Sequence, residues 1–429
     1  MRDVSIIGLG QTPVGEHYDI SLRGLALQAM RAAMQDAGLE RVAALFVGNA
    51  LAGQLSRQEH LGALLADYAG LLGIEAARVD AGEASGGAAL RQAYIAVASG
   101  GADVAMAVGV EKMTDQTAVD RLDAATGLTD REFEGAQGTA PAAVGGLLMR
   151  RYMHEYGVAL EAFEGFSINA HANGASNPNA MYRSPLKPGA FARAPMVADP
   201  VTLFDMAPDA DGAAALVLCP TEMARDLVPQ PVRVAGSALA TDALPLHDRT
   251  DPLALRAVEA AVSRALRQAG IGIEDVDVFE LHDAFTVLTA LQLEAIGLAA
   301  RGAGWKLAAS DAIGLAGRAP LATFGGLKAG EPARRDGRLP GGRSGAPVAR
   351  RGGSQPGGGG GARAGAQPGE RRGDRSRPHP RKGNVRQGLA RKSTCLIGNG
   401  VRKGYLAVFE SRSVPYFGQV VKAPGYGLY

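Results

Sequence analysis

The chain has 429 residues, 46% of them hydrophobic, and a formal net charge of +2. That balance hides an asymmetry, with 25 Lys+Arg against 38 Asp+Glu in 1–329, 14 against 4 in 330–390 and 6 against 1 in 391–429. There is no apolar run near the roughly 18 residues that span a bilayer, no basic-then-apolar leader at the start, and no metal or disulfide spacing in the two cysteines, Cys219 and Cys395, so we expect a cytoplasmic protein with an acidic body, a basic tail and no membrane partner.

In chain order, 4–8 is a short apolar run ending in Gly, and 21–37 carries Leu22, Leu25, Ala26, Met30 and Ala33 at helical spacing. A buried strand is expected at 42–48, an Ala-rich helix at 86–100 and another buried strand at 104–110. Apolar strands alternating with helices indicate an α/β architecture whose sheet is covered on both faces. The pattern pauses over 115–200, where short helices and polar loops read as an insertion folded over the core. It resumes with strands at 213–219, which hold Cys219 as a buried residue, and at 232–238. A helix follows at 252–270, stopped by Gly270, and then the run V-D-V-F-E-L-H-D-A-F at 276–285. The order from 232 onward repeats the order from residue 4, which indicates a duplicated unit. At 330 the character changes: 330–390 hold 17 Gly and 13 Arg among 61 residues, and such a stretch is expected to be disordered.

Three segments can carry chemistry. G-E-A-S-G-G at 82–87 opens the helix at about 86, and a side chain there sits in the positive end of the helix field. On the residues alone, the segment reads more readily as a plain strand-to-helix turn with Glu83 a solvated first-turn carboxylate. In E-L-H-D-A-F-T at 280–286, His282 emerges at the end of a strand, where ligand sites of α/β sheets gather. It can act as an acid or base, or donate to a developing oxyanion; it can also be a helix cap or a satisfied core residue. In T-F-G-G-L-K-A at 323–329, the pair Gly325 and Gly326 would let a ligand approach the backbone. G-L-G at 8–10 lacks the third Gly of a dinucleotide loop.

Together these segments resemble the thiolase superfamily, in its sterol-carrier-type branch. R-V-D-A-G-E-A-S-G-G-A-A-L at 78–90 is similar to the family's nucleophile turn, which reads C-A-S-G-G-A-A. E-L-H-D-A-F-T is similar to its H-D-A-F box, and G-G-L-K-A to the glycine loop before its last catalytic box. Further matches are R-Y-M-H-E-Y-G at 151–157, H-A-N-G-A-S-N-P at 171–178, M-V-A-D-P at 196–200 and D-A-D-G-A-A-A at 209–215. The resemblance implies duplicated βαβαβαββ units in a layered αβαβα arrangement, the second incomplete here. It implies a homodimer, with acyl-CoA as substrate or ligand and no resident cofactor. His282 takes the oxyanion-stabilising role, and Gly325 and Gly326 the acyl-CoA loop. The family's nucleophile is a Cys, and that position is Glu83. A carboxylate forms no stable thioester, so Glu83 is expected to be a general base, a mimic of the acyl-enzyme or inert. The family's G-H-P box is also absent: the chain reads G-E-P-A-R-R-D-G at 330–337.

The tail reads as out of frame. Codons straddling adjacent residues after Gly330 are restricted at Asp336–Gly337 to Thr or Met, at Gln355–Pro356 to Asn or Ser, and at His379–Pro380 to Ile or Thr. Permitted choices turn 330–343 into G-N-P-x-G-A-T-G-V-Y-Q-A-V-E, and a stop is allowed at Val385–Arg386. This text resembles a thiolase C-terminus. The rival reading, an Arg/Gly tail that binds nucleic acid, lacks regular repeats and interleaved aromatics. The expected organisation is an N-terminal half at 1–225, a partial C-terminal half at 226–329 and a tail at 330–429. The expected function is a thiolase-like acyltransferase homologue with altered or lost transferase chemistry. The alternative is a non-catalytic acyl-CoA-binding or scaffolding subunit of an enzyme complex.

Overall fold

The computed structural model describes residues 1–330, 405–408 and 420–421. The expectation of disorder over 330–390 therefore lies outside the described residues, Gly330 excepted. In the first half, β1 (Val4–Gln11) leads to α1 (Leu22–Ala37), whose first turn is capped by the Ser21 hydroxyl accepting from Gly24 N at 3.3 Å. Then come β2 (Ala44–Gly48), α2 (Ala52–Leu55), α3 (Leu61–Tyr68), β3 (Glu75–Val79), α4 (Ser85–Ser99) and β4 (Ala105–Glu111). The insertion is more helical than the sequence suggests. It holds α5 (Ala118–Thr126), α6 (Pro141–Tyr156), α7 (Glu164–Gly174) and the small hairpin β5 (Met196–Ala198) and β6 (Val201–Thr202). The half closes with β7 (Gly212–Pro220) and α8 (Thr221–Leu227).

The second half runs β8 (Val232–Ala238), α9 (Arg256–Ala269), β9 (Val278–Phe279), α10 (Thr286–Ala295) and α11 (Trp305–Ala308). Two further strands follow, β10 (Tyr405–Val408) and β11 (Val420–Val421), where the sequence reading assigns no element. The nine-stranded order is β3-β2-β4-β7-β1-β8-β10-β11-β9. Within the sheet the two halves pair where β1 meets β8, Ser5 with Arg233 and Ile6 with Val232.

Strand alternation sorts the first half's core. Leu45 and Val47 of β2, Met106 and Val108 of β4, and Val217 and Cys219 of β7 pack with α1 and α3 on one face. Phe46, Ala107, Leu216 and Leu218 meet α4 on the other. Both faces are thus covered, as the continuous apolar runs imply. α4 also reaches the second half, where Gln268 of α9 donates to the Tyr94 hydroxyl at 2.7 Å. A separate core joins α6 and α7 to α9 and α10 through Met149, Tyr152, Phe166, Val262 and Leu291. No described helix is long and apolar enough to cross a membrane.

Candidate active site

The parallel strands β2, β3 and β4 deliver their C-terminal ends to one edge of the sheet. After β3 the chain makes a tight turn into α4. Gly82 has φ 58°, and its N–H donates to Asp80 Oδ1 at 2.9 Å. The Ser85 hydroxyl accepts from Ala81 N at 2.9 Å and donates to Gly82 O. Glu83 is half-buried in this turn, two residues ahead of α4. The positive end of a 15-residue helix favours an anion at such a place.

Behind the turn stands Glu111, at the end of β4. It is 4% exposed and accepts from Asn49 Nδ2 at 2.9 Å and Ala50 N at 3.1 Å. Burial pushes its pKa up to about 7, against those hydrogen bonds and the nearby Arg78 guanidinium. Sequence reading does not single out Glu111, which looks like an ordinary strand-end carboxylate.

His282 lies on the other half, three residues past the short β9. Residues 280–284 are buried yet pair in no ladder. Their polar groups are met by side chains and loops instead. The Gln292 amide of α10 accepts from His282 N at 3.0 Å and donates to His282 O at 2.6 Å. Ala207 N donates to Ala284 O at 2.7 Å. Asp283 Oδ1 accepts from Leu327 N at 2.7 Å, and Glu280 Oε1 from Thr323 N at 2.7 Å. The H-D-A-F box and the glycine loop are therefore clasped together.

The two glycines of that loop meet protein. A Cβ on Gly326, whose φ is 58°, would sit 2.3 Å from Asp283 Oδ2, and one on Gly325, with φ 108°, would sit 2.8 Å from Gly174 Cα of α7. One face of α7 holds the same loop. Asn169 Nδ2 donates to Leu321 O at 2.7 Å, and Asn173 Nδ2 to Ala322 O at 3.0 Å.

Beneath the clasp lies a cluster of charges. Lys328, 1% exposed, donates through Nζ to Asp205 O. Asp205 Oδ1 in turn accepts from Thr286 N at 3.0 Å, at the start of α10. Asp205 Oδ2 and Asp283 Oδ2 are buried and accept no hydrogen bond. Burial drives Lys328 down and both carboxyls up, while their mutual attraction opposes it. His171 of α7, between Tyr182 and Phe204, is lowered to about 4 by burial and by the Lys328 charge. Lys328 and His171 stand in the motifs quoted above without a role, whereas Asp205 and Gln292 carry no recognisable motif. Among the described residues no group of three or more His, Cys, Asp or Glu could hold a metal.

Comparison with known proteins fits this arrangement. The thiolase N-terminal domain family matches residues 4–188, and the thiolase C-terminal domain-like family matches 238–337. The chain is 40% identical over 331 residues to an acetyl-CoA acetyltransferase of Methanothermobacter thermautotrophicus, covering 77% of this chain and 86% of that one. It is 32% identical to the benzoylsuccinyl-CoA thiolase subunit BbsB of Thauera aromatica, over 76% of this chain and 83% of that one. It is 28% identical to a 17-hydroxy-3-oxo-4-pregnene-20-carboxyl-CoA lyase of Mycobacterium tuberculosis, over 75% and 86%. A solved Ltp2-ChsH2(DUF35) aldolase superposes with a TM-score of 0.66 at 28% identity, covering 76% of this chain and 84% of that one. The matched relatives, the two half-motifs in order and the mixed sheet with its helices agree, and the chain belongs to the thiolase family.

Proposed function

We propose that this protein binds an acyl-CoA thioester between its two halves and that its transferase chemistry is altered or lost. The observation that carries the reading is Glu83, which occupies the turn into α4 where the family motif has its acylated Cys. A Cys thiolate is a nucleophile and a leaving group in one, and a carboxylate at neutral pH replaces neither function with a thioester. Glu83 is then a general base, a stand-in for acyl-enzyme charge or a silent residue. His282 is the oxyanion donor of this reading, and Gly325 and Gly326 shape the loop beside the acyl-CoA. No resident cofactor is needed.

A second reading is a subunit that binds acyl-CoA for a complex. It is favoured by the names of two relatives, a thiolase subunit and an aldolase composed of two kinds of chain. A homodimer is proposed with either reading. It is supported by β3, which forms the open edge of the sheet with every side chain at least partly exposed. The out-of-frame tail is proposed as well. It is supported by the family match ending at 337 and by the 86% coverage of the acetyltransferase.

Two measurements on the purified chain test this: acetyl-CoA binding by calorimetry and acetyl transfer between acyl-CoAs. Binding without transfer is expected. Robust transfer overturns the altered-chemistry reading, and absence of binding overturns acyl-CoA as the ligand.

A further inference from the structure

Between β9, which ends at Phe279, and α10, which begins at Thr286, residues 280–284 are buried and belong to no ladder. A buried peptide with unmet N–H and C=O groups costs about 1–3 kcal/mol for each group. At His282 both groups are met by one side chain. Gln292 presents its amide as a neighbouring strand would present a peptide, taking the His282 N–H at 3.0 Å and giving an N–H to the His282 carbonyl at 2.6 Å. Its second N–H goes to Leu288 O at 3.1 Å, one turn earlier on α10. Gln292 is 5% exposed, so water does not compete for these bonds.

We propose that Gln292 is a positioning residue that fixes the orientation of the His282 imidazole toward the acyl-CoA thioester. The inference rests on the reading of His282 given above. Its physical basis is local. A residue whose N–H and C=O are both pinned has φ and ψ fixed, and with them the direction of its Cα–Cβ bond. The side chain of Asp283, the next residue, is separately held, its Oδ1 accepting from Leu327 N at 2.7 Å. The imidazole is left only its side-chain torsions, which burial at 8% exposure restricts further. Among the residues that meet the backbone here, Gln292 alone touches both polar groups of His282's own main chain. Pre-organised donors raise catalytic or binding competence by removing reorganisation, and a loosely held histidine loses that gain.

The test uses the full chain labelled with 13C and 15N at histidine, of which there are 7. The His282 ring resonances are identified by their disappearance in His282→Ala. The expected result is that Gln292→Leu displaces these resonances in the free protein and abolishes their shift on addition of acetyl-CoA, while the dissociation constant of acetyl-CoA changes by less than about threefold. Gln292→Glu keeps an acceptor for the His282 N–H and loses only the donor. It is expected to restore part of the acetyl-CoA response, and it makes the same comparison should Gln292→Leu not fold. The proposal is overturned if the ring resonances and their response to acetyl-CoA are the same in the variants as in the parent, whatever the melting temperature does. If the parent's His282 resonances ignore acetyl-CoA, the functional reading fails, while the displacement in the free protein still decides the role of Gln292.

Discussion

At the scale of single residues, two substitutions test the site. The chain is expected to lack thiolase turnover, and Glu83→Cys alone is expected not to create it, because the G-H-P histidine that a thiolate would need is also missing. The check is the acetyl-transfer assay on both proteins. A rate for Glu83→Cys well above that of the parent would show that the turn into α4 needs only its thiol. The second substitution is Lys328→Met, which keeps most of the apolar stem and removes the cation that attracts both Asp205 and Asp283. Breaking a buried charge arrangement on one side typically costs about 3–5 kcal/mol. Both carboxyls are already raised above their unfolded values, so the folded state binds more protons than the unfolded one in that range, and stability falls as pH rises. Lys328→Met is therefore expected to melt lower than the parent, with the gap wider at pH 8 than at pH 5. An unchanged melting temperature would mean that Lys328 is neutral and dispensable. Glu83 and His282 stand out as candidates in the sequence because each lies in a compact motif. Lys328, His171 and Gln292 do not, since what distinguishes them is burial against partners distant in the chain, such as Asp205 and Lys328.

At the scale of elements, strands buried on both faces were the most legible. Continuous apolar runs placed β2, β4, β7 and β8 to within two residues of their observed starts and one of their ends. β3 was not singled out because E-A-A-R-V carries two charges and forms an edge. The run at 276–285 yields only a two-residue β9, since the Gln292 amide and Ala207 N meet the backbone groups of His282 and Ala284 that a ladder would otherwise meet. Side-chain pairing of this kind leaves no periodicity. Two buried groups couple elements in opposite directions of pH. Glu111 joins the end of β4 to the start of α2 and titrates at about 7, above its ordinary 4.5. In that window the folded state holds the extra proton, so stability falls as pH rises, by roughly 3 kcal/mol in total. His171, buried on α7 between Tyr182 and Phe204 and under the Lys328 charge, titrates at about 4, below its ordinary 6.5. There the unfolded state holds the extra proton, so stability falls as pH drops, by a similar roughly 3 kcal/mol. The two slopes overlap between pH 4.5 and 6.5 and oppose one another. Glu111→Gln removes one slope and should make melting temperature rise more steeply with pH from 4.5 to 6.5 than it does in the parent. A variant with the same slope as the parent would show that Glu111 titrates normally.

At the scale of the whole molecule, the duplication supplies its own standard for the tail. In the first half the strand beside β1 is β7, and it runs antiparallel; β4, next in order, is antiparallel to β7. A faithful repeat would place an antiparallel strand beside β8. Instead β10 runs parallel to β8, and β11 runs antiparallel to both β10 and β9. Strands β10 and β11 thus lie between β8 and β9 without reproducing the first half's directions. The intervening 330–390, with 17 Gly and 13 Arg among 61, has no apolar periodicity from which to build the covering helix that α4 provides in the first half. Strands β8 and β9 and the buried face of α9 would then lack one side of their core, and an exposed apolar face of that kind is an aggregation liability. Restoring the frame within 328–335 should give a shorter, more acidic chain whose final strands continue the glycine loop. The measurement is direct: express both versions and compare soluble yield, melting and protease resistance. The restored chain is expected to be the better expressed and to melt at least about 10 °C higher, as a gain of several kcal/mol would produce at about 2–4 °C for each. Equal melting of the two, with 330–390 resisting protease in the longer chain, would establish the tail as a working part of the fold and end the case for a shifted frame.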